Sequence, residues 1–357
     1  VSELTETEEL AATARAVFAD HPAEAADGLP IRLWDTLSEL GLSRITLPER
    51  VGGSGGGLAD AVALLLAAGE AGAPVPLAET DLLGGWLLDR AGLEVPAGPL
   101  ACAADPGGLS VSAGPEGGLT VRGTLARVGW ARSAARVAVL ATGPEGGEVV
   151  LSVDPSDAGV RLEPGVNLAG EPRDGLRLDL TLRAGEFGGV PGGTGELLTR
   201  RAALARALLL AGAAGTALAR AVRYARERVQ FGRPIAKFQA VQQELAIAAA
   251  EVAAGRAAAE AAARVCAQSD FAGPDARFAV AAAKGRTGEA AGVVARVAHQ
   301  VHGAIGFTLE HDLRLATTRL WAWRDEDGSE AYWYGVVAEH ALAGGADGLW
   351  PLVTRCS

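Results

Sequence analysis

The sequence predicts an α+β multidomain fold: a helical amino-terminal domain over residues 1–95, a small antiparallel β domain over 96–191, and a carboxy-terminal four-helix bundle over 192–357. Three observations carry this. Alanine and leucine are dense towards both ends of the chain and recur at helical spacing. The middle third alternates apolar and polar residues in short runs broken by Gly, Pro and Asp, as strands and tight turns do. At 357 residues the chain is too long for one ordinary compact unit and has room for a sizeable core.

Taken in order, Leu4, Leu10, Ala14, Val17 and Phe18 approximate an amphipathic helix, and Trp34, Leu37, Leu40 and Leu42 continue with a second that stops at Gly41. The Gly52 to Gly57 run lacks the Gly-Lys-Ser/Thr ending and preceding strand of a phosphate loop. It reads as a flexible lead into a helix from Leu58 to Gly69. Strands are expected at Leu119–Arg122, Val137–Leu140, Val149–Val153 and Leu176–Leu180. After Gly192, helical runs are expected at Glu196–Glu227, Ile235–Ser269, Asp275–Ala304 and Glu330–Ala343.

Composition narrows the partners. A net charge of -11 and a pI near 5.1 argue against nucleic acid, which needs clustered Lys and Arg. No run of about 18 uninterrupted apolar residues occurs, so no membrane span is expected. Cys102, Cys266 and Cys356 have no metal-like spacing and read as reduced thiols filling small core positions. Acidic residues stand at the start where a secretory signal would be basic, so a cytoplasmic location is expected.

The most informative stretch is Val222 to Gln243. A helix there is expected to stop at Gly232 and restart after Pro234, making Gln230–Pro234 a tight corner. Arg228, Gln230 and Phe231 then set a guanidinium, an amide and a ring side by side, able to bind an anion and stack a planar group. The plainer alternative is an Arg228 that is merely solvated or paired with Glu227. A second constellation, His299 to Phe307, has two histidines three apart but no obvious further metal ligands. Its glycines fit a helix terminus that lets backbone approach a ligand. A third, Trp321 to Glu330, is acidic. Asp and Ser before a helix are ordinary caps, so a structural role competes with a catalytic one.

The pattern YA-x-E-R-x-Q-F-G-x-P-I-x-x-F-Q-x-x-Q-x-x-L-A, from Tyr224, resembles the signature of the acyl-CoA dehydrogenase family. W-x-x-L-x-E-L-G-L from Trp34, Leu47-Pro48-Glu49 and the following glycines are similar to the family's amino-terminal elements. The resemblance implies the predicted three-part fold, with the bundle forming a tetramer interface. It implies FAD as cofactor, acyl-CoA as substrate and an electron-accepting flavoprotein as partner. Carried over residue by residue, Arg228, Gln230, Phe231, Gln300 and Gly303 would contact the adenosine-diphosphate end of FAD held by a neighbouring subunit. An ungapped count from Gly306-Phe307 sets Asp327-Gly328-Ser329 on the family's E-G-T, with Asp327 as catalytic base and Ser329 near the cofactor. A base in that position removes the α proton of an acyl thioester while a hydride leaves Cβ. The family's other base position falls near Ala202, which has no carboxylate.

Departures are visible. Ala304 replaces the second Gly of the family's Gln-x-x-Gly-Gly. The T-E-P-x-x-G-S-D motif is reduced to Ala104-Asp105-Pro106-Gly107-Gly108, and W-x-T-N becomes Arg127-Val128-Gly129-Trp130. Three readings stay open: a catalytic homotetramer, a weakly or non-catalytic subunit completing a paralogue's flavin site in a mixed tetramer, and a flavin monooxygenase on the same fold.

Overall fold

A computed structural model describes residues 6–22, 28–308 and 311–355; Leu4 and Cys356 lie outside them. Close contacts divide the described residues into two compact units. One comprises residues up to 23 together with Val62–Ala73 and Ala203–Ser357. The other comprises Glu24–Ala61 and Pro74–Ala202.

The first unit is helical. It holds α1 (Glu6–Asp20) and most of α3 (Leu58–Ala71) and α5 (Thr194–Glu227). It is completed by α6 (Gln239–Ser269), α7 (Gly273–His302), α8 (Leu313–Asp325) and α9 (Glu330–Arg355). Small residues set how closely these helices approach. A Cβ at Gly69 would overlap the Leu209 carbonyl, and one at Gly212 would overlap the Leu66 carbonyl. Glycine is therefore what lets α3 and α5 touch backbone to backbone. Along α7, Ala281, Ala283, Ala291 and Ala295 are buried, and Gly285 lies against the Tyr334 ring of α9. Among the described helices, α5 is long and apolar enough to cross a membrane, but most of its apolar window is buried in the fold.

The second unit carries α2 (Ile31–Glu39), α4 (Trp86–Arg90) and a sandwich of two four-stranded sheets. The strands are β1 (Leu100–Ala104), β2 (Leu109–Ala113), β3 (Leu119–Gly129), β4 (Arg136–Thr142), β5 (Glu148–Val153), β6 (Val160–Glu163), β7 (Arg173–Leu182) and β8 (Phe187–Gly189). One sheet runs β1-β4-β5-β8 and the other β2-β3-β7-β6. Val121, Leu176 and Leu178 from one sheet and Val137, Val139 and Leu151 from the other share one core. The alternation of β7, with Leu176, Leu178, Leu180 and Leu182 inward, matches its sequence period. Pairing is antiparallel as expected, except that β1 and β4 are parallel. The chain passes through β2 and β3 of the other sheet between them, so no hairpin forces them to oppose.

The glycine run is not a flexible lead. Ser54, Gly55 and Gly56 donate main-chain bonds to the carbonyls of Arg44, Leu47 and Ile45, and a Cβ at Gly53 would overlap Leu47. These glycines are packing residues. Nearby, a π-helical turn, Glu79–Gly85, leads into α4 and buries Asp81. The Asp81 carboxylate accepts bonds from Thr46 N (3.0 Å), Thr46 Oγ1 (2.9 Å) and Leu47 N (3.2 Å). Burial pushes this carboxyl up to about 6, against the opposing pull of those donors and of Arg201.

In the bundle, α8 was not among the expected helices, α6 begins at Gln239 rather than Ile235, and α9 continues past Ala343 to Arg355. α9 bends at Gly345, whose φ of 62° departs from helical geometry.

Candidate functional site

The corner after α5 is tighter than a helix break. α5 stops at Glu227, and Val229–Gln230 (β9) pairs with Arg233–Pro234 (β10) as a two-residue hairpin. Its tip residues Phe231 and Gly232 have φ of 51° and 78°, the pair of positive values a type I′ turn needs. The Ile235 N–H donates to the Arg228 carbonyl at 2.8 Å and closes the hairpin. Arg228 and Gln230 are exposed, and among the described residues their side chains make no hydrogen bond or ion pair. Glu227 is not its partner, so of the plainer alternative the solvated form is the one that remains. Phe231 is 92% exposed, with the Phe238 ring edge-on at 6.1 Å.

Gln300 and Gly303 sit at the other half of this end of the bundle. α7 finishes at His302, and Gly303 takes φ 62° and ψ -144°, a conformation suited to glycine. Space beside it is open, since a Cβ there would meet nothing within 4 Å. Tyr224, one turn before the hairpin, stacks on His302 at 4.5 Å, and His311 packs edge-on against His302 at 4.8 Å. This ring cluster ties the end of α5 to the end of α7. It brings Arg228, Gln230 and Phe231 to the same end as Gln300 and Gly303.

The two histidines are structural in their bonding. His302 Nδ1 meets the Ala298 carbonyl at 2.7 Å, and His299 Nε2 meets Thr317 Oγ1 at 3.0 Å. Burial pushes both below the usual imidazole range. A groove of about 1200 Å³ runs from Gln300, Gly303 and Phe307 along α7 to Trp321, Arg324, Glu330 and Tyr334.

The acidic turn between α8 and α9 is held from beneath. Asp327 has φ 55° and Gly328 has φ 95°. Arg206 of α5 donates from Nε to Asp327 Oδ2 at 2.8 Å and reaches Glu326 Oε2 at 3.3 Å. The Trp333 indole donates to the Asp327 carbonyl at 2.8 Å, while a Cβ on Gly328 would overlap that indole. Lys284 of α7 donates to the carbonyls of Arg324 (2.8 Å) and Gly328 (2.7 Å). Ser329 sits just ahead of α9, its carbonyl accepting from Trp333 N. Thus the structure sets Arg228, Gln230 and Phe231 on the hairpin after α5 and Gln300 and Gly303 in the groove at the end of α7, the two helix ends joined by the Tyr224–His302 stack, and holds Asp327 and Ser329 in the turn beyond the groove's Arg324 and Glu330. Sequence reasoning missed Arg206, Lys284 and Tyr224.

In the β unit, the Asp105 carboxylate accepts bonds from the N–H groups of Gly107 (3.0 Å) and Gly108 (2.6 Å). The reduced motif is thus a self-capped turn. Trp130 is buried in its own unit, with φ 62°.

Comparison with known proteins is consistent along the chain. Family models for the acyl-CoA dehydrogenase amino-terminal and carboxy-terminal domains match residues 5–95 and 193–342. Acyl-CoA dehydrogenase IpdE2 of Mycolicibacterium smegmatis is 32% identical over 298 residues, 82% of each protein. The chain belongs to the acyl-CoA dehydrogenase family. That family comprises flavoprotein oxidoreductases. The crystal structure of the ChsE4-ChsE5 complex from Mycobacterium tuberculosis superposes with a TM-score of 0.86 at 25% identity, covering 96% of this chain and 98% of that one. A Tcur3481-Tcur3483 steroid acyl-CoA dehydrogenase variant gives 0.82 at 26% identity, covering 94% and 97%. Both are described as pairs of different proteins.

Proposed function

We propose that this acyl-CoA dehydrogenase family chain works within an FAD-dependent oligomer, of tetramer type, that introduces an α,β double bond into an acyl-CoA thioester. Its own contribution is to complete the flavin site of a neighbouring subunit. The observation that carries this is that Arg228 and Gln230 on the hairpin, and Gln300 beside an open Gly303 at the end of α7, are exposed and unpartnered among the described residues, with Tyr224 stacked on His302 between the two helix ends. An arginine left free on a strained two-residue hairpin fits an anionic ligand supplied from outside the chain. Bound FAD would supply the hydride acceptor. Arg228 would pair with its diphosphate, Gln230 and Gln300 would donate to it, Gly303 would leave room for it close to the backbone, and Phe231 would pack beside it. An electron-accepting flavoprotein would take the electrons onward.

For proton abstraction, Asp327 occupies the position that the family resemblance gives the base, with Ser329 beside it. Its carboxylate is already ion-paired with Arg206, and taking a proton would forfeit that pair. This favours a weakly or non-catalytic role for the chain's own turn, in a mixed assembly with a base-bearing paralogue. The pairwise composition of the two structural relatives supports the same reading.

The test is the flavin absorbance of the chain purified alone and with a co-expressed family member, for wild type and Arg228→Ala. Flavin should appear in the mixed assembly and fall several-fold on substitution, with the helical signal unchanged. Full flavin retention in Arg228→Ala refutes the assignment. In the mixed assembly, Asp327→Asn should change turnover less than about threefold. A loss on the order of a hundredfold would instead make Asp327 the working base.

A further inference from the structure

Of the 32 Lys and Arg residues in this chain, two are lysines, Lys237 and Lys284. Lys284 lies in the apolar interior of α7, wholly without solvent exposure. An ammonium group in such a place is costly unless its N–H donors are satisfied. Here its Nζ meets two main-chain carbonyls, Arg324 O at 2.8 Å and Gly328 O at 2.7 Å. These belong to opposite sides of the α8–α9 turn. Arg324 is in the last turn of α8, where carbonyls lack helical partners and the helix dipole favours a cation. Gly328 is the second positive-φ residue in succession.

We propose that Lys284 is a positioning residue for the turn between α8 and α9, acting through the main chain to fix where Asp327, Gly328 and Ser329 stand beside the groove lined by Arg324 and Glu330. A compact ammonium suits the space between two converging carbonyls, where a planar guanidinium fork does not. In a chain that otherwise uses arginine almost throughout, that geometric demand accounts for lysine at this position. Arg206 holds the side chains of Glu326 and Asp327 from α5, Trp333 holds the Asp327 carbonyl, and Lys284 closes the two ends of the loop. Without Lys284 the Arg324 and Gly328 carbonyls lose their shared donor. The turn, carrying two left-handed residues, is then free to relax toward ordinary geometry.

The functional half of this inference rests on the proposed flavin-dependent oligomer, since the groove that holds Gln300 and Gly303 runs on to Arg324 and Glu330, which flank the turn. The experiment uses the flavin-loaded assembly containing Lys284→Met, which keeps side-chain length and removes the donors. Hydrogen–deuterium exchange should rise about tenfold or more in the peptide spanning 325–333 and change little in peptides from the β sandwich. Acyl-CoA-driven flavin reduction should slow about tenfold at unchanged flavin content, more than for Asp327→Asn, because loosening the main chain also displaces Arg324 and Glu330 along the groove. If Lys284→Met does not accumulate folded, Lys284→Gln, which retains an amide donor group on a shorter side chain, should give smaller changes in the same direction. Unaltered exchange in the turn of a folded variant overturns the proposal. So does a loosened turn with an unaltered reduction rate. Failure of the flavin-site reading is separate, because it shows as lost flavin dependence on Arg228 and leaves the exchange result intact.

Discussion

Asp81 should make this protein less stable as the pH rises from about 4 to about 6. Its carboxyl is buried against the loop at Thr46 and Leu47, and burial lifts it from 3.8 to about 6. A folded-state value above the unfolded one means the folded protein holds the extra proton in this window. Asp81's stabilising contribution is therefore complete below about 3.8 and lost as the pH climbs through about 6. At about 1.4 kcal/mol per pH unit, the difference amounts to about 3 kcal/mol. Asp81→Asn keeps an acceptor oxygen for the loop and removes the titration. The assay is urea unfolding followed by tryptophan fluorescence at several pH values, comparing wild type with Asp81→Asn. Dilute protein is needed because the pI of about 5.1 falls inside the window. The stability of wild type relative to the variant should fall by about 3 kcal/mol across the window and stay level above it. A difference that is flat, or that rises with pH, refutes the claim that burial outweighs the three donors.

Lys284 should act at the opposite end of the scale. Desolvation lowers it to about 8 against the attraction of Asp327, Glu330 and Asp325 and with the repulsion of Arg206, so its contribution is full above about 10.5 and lost as pH falls through 8. Lys284→Met should erase up to about 3 kcal/mol of the rise in stability between those values, read by denaturant midpoints. Gly212→Ala should cost at least about 2 kcal/mol in thermal unfolding, because the new methyl meets the Leu66 carbonyl and α3 must move off α5. Gly328→Ala should cost about 1–3 kcal/mol and weaken the indole bond of Trp333, visible as a shifted tryptophan emission.

Much of the fold is legible locally. Leu176, Leu178 and Leu180 announce a strand because alternate residues must face one core, and the alanine-rich runs announce helices because small residues crowd at 3.6-residue spacing. α8 escaped notice because Leu313–Asp325 mixes arginines and threonines with its apolar face, and its end was read as an acidic segment. Glycine density misled at Gly52–Gly57, where the missing side chains serve close packing with the Leu47 loop. The hairpin residues were named from sequence because they are contiguous with a strong local signal. Arg206 and Lys284 were not, since they meet the Asp327 turn from 121 and 44 residues away. Only the oddity of a lysine inside an alanine run could have flagged the second.

Phe231 carries a cost that says something about selection. A phenylalanine at φ 51° occupies a turn position where asparagine or glycine would sit with less strain, and its ring is spread in water. Any procedure that ranks substitutions by the thermostability of the isolated chain would replace it early. The resulting protein would survive heating better and carry a blunted corner. Under the proposed function, stability-guided redesign of this chain has to hold residue 231 fixed, because the use of phenylalanine there falls to a neighbouring subunit.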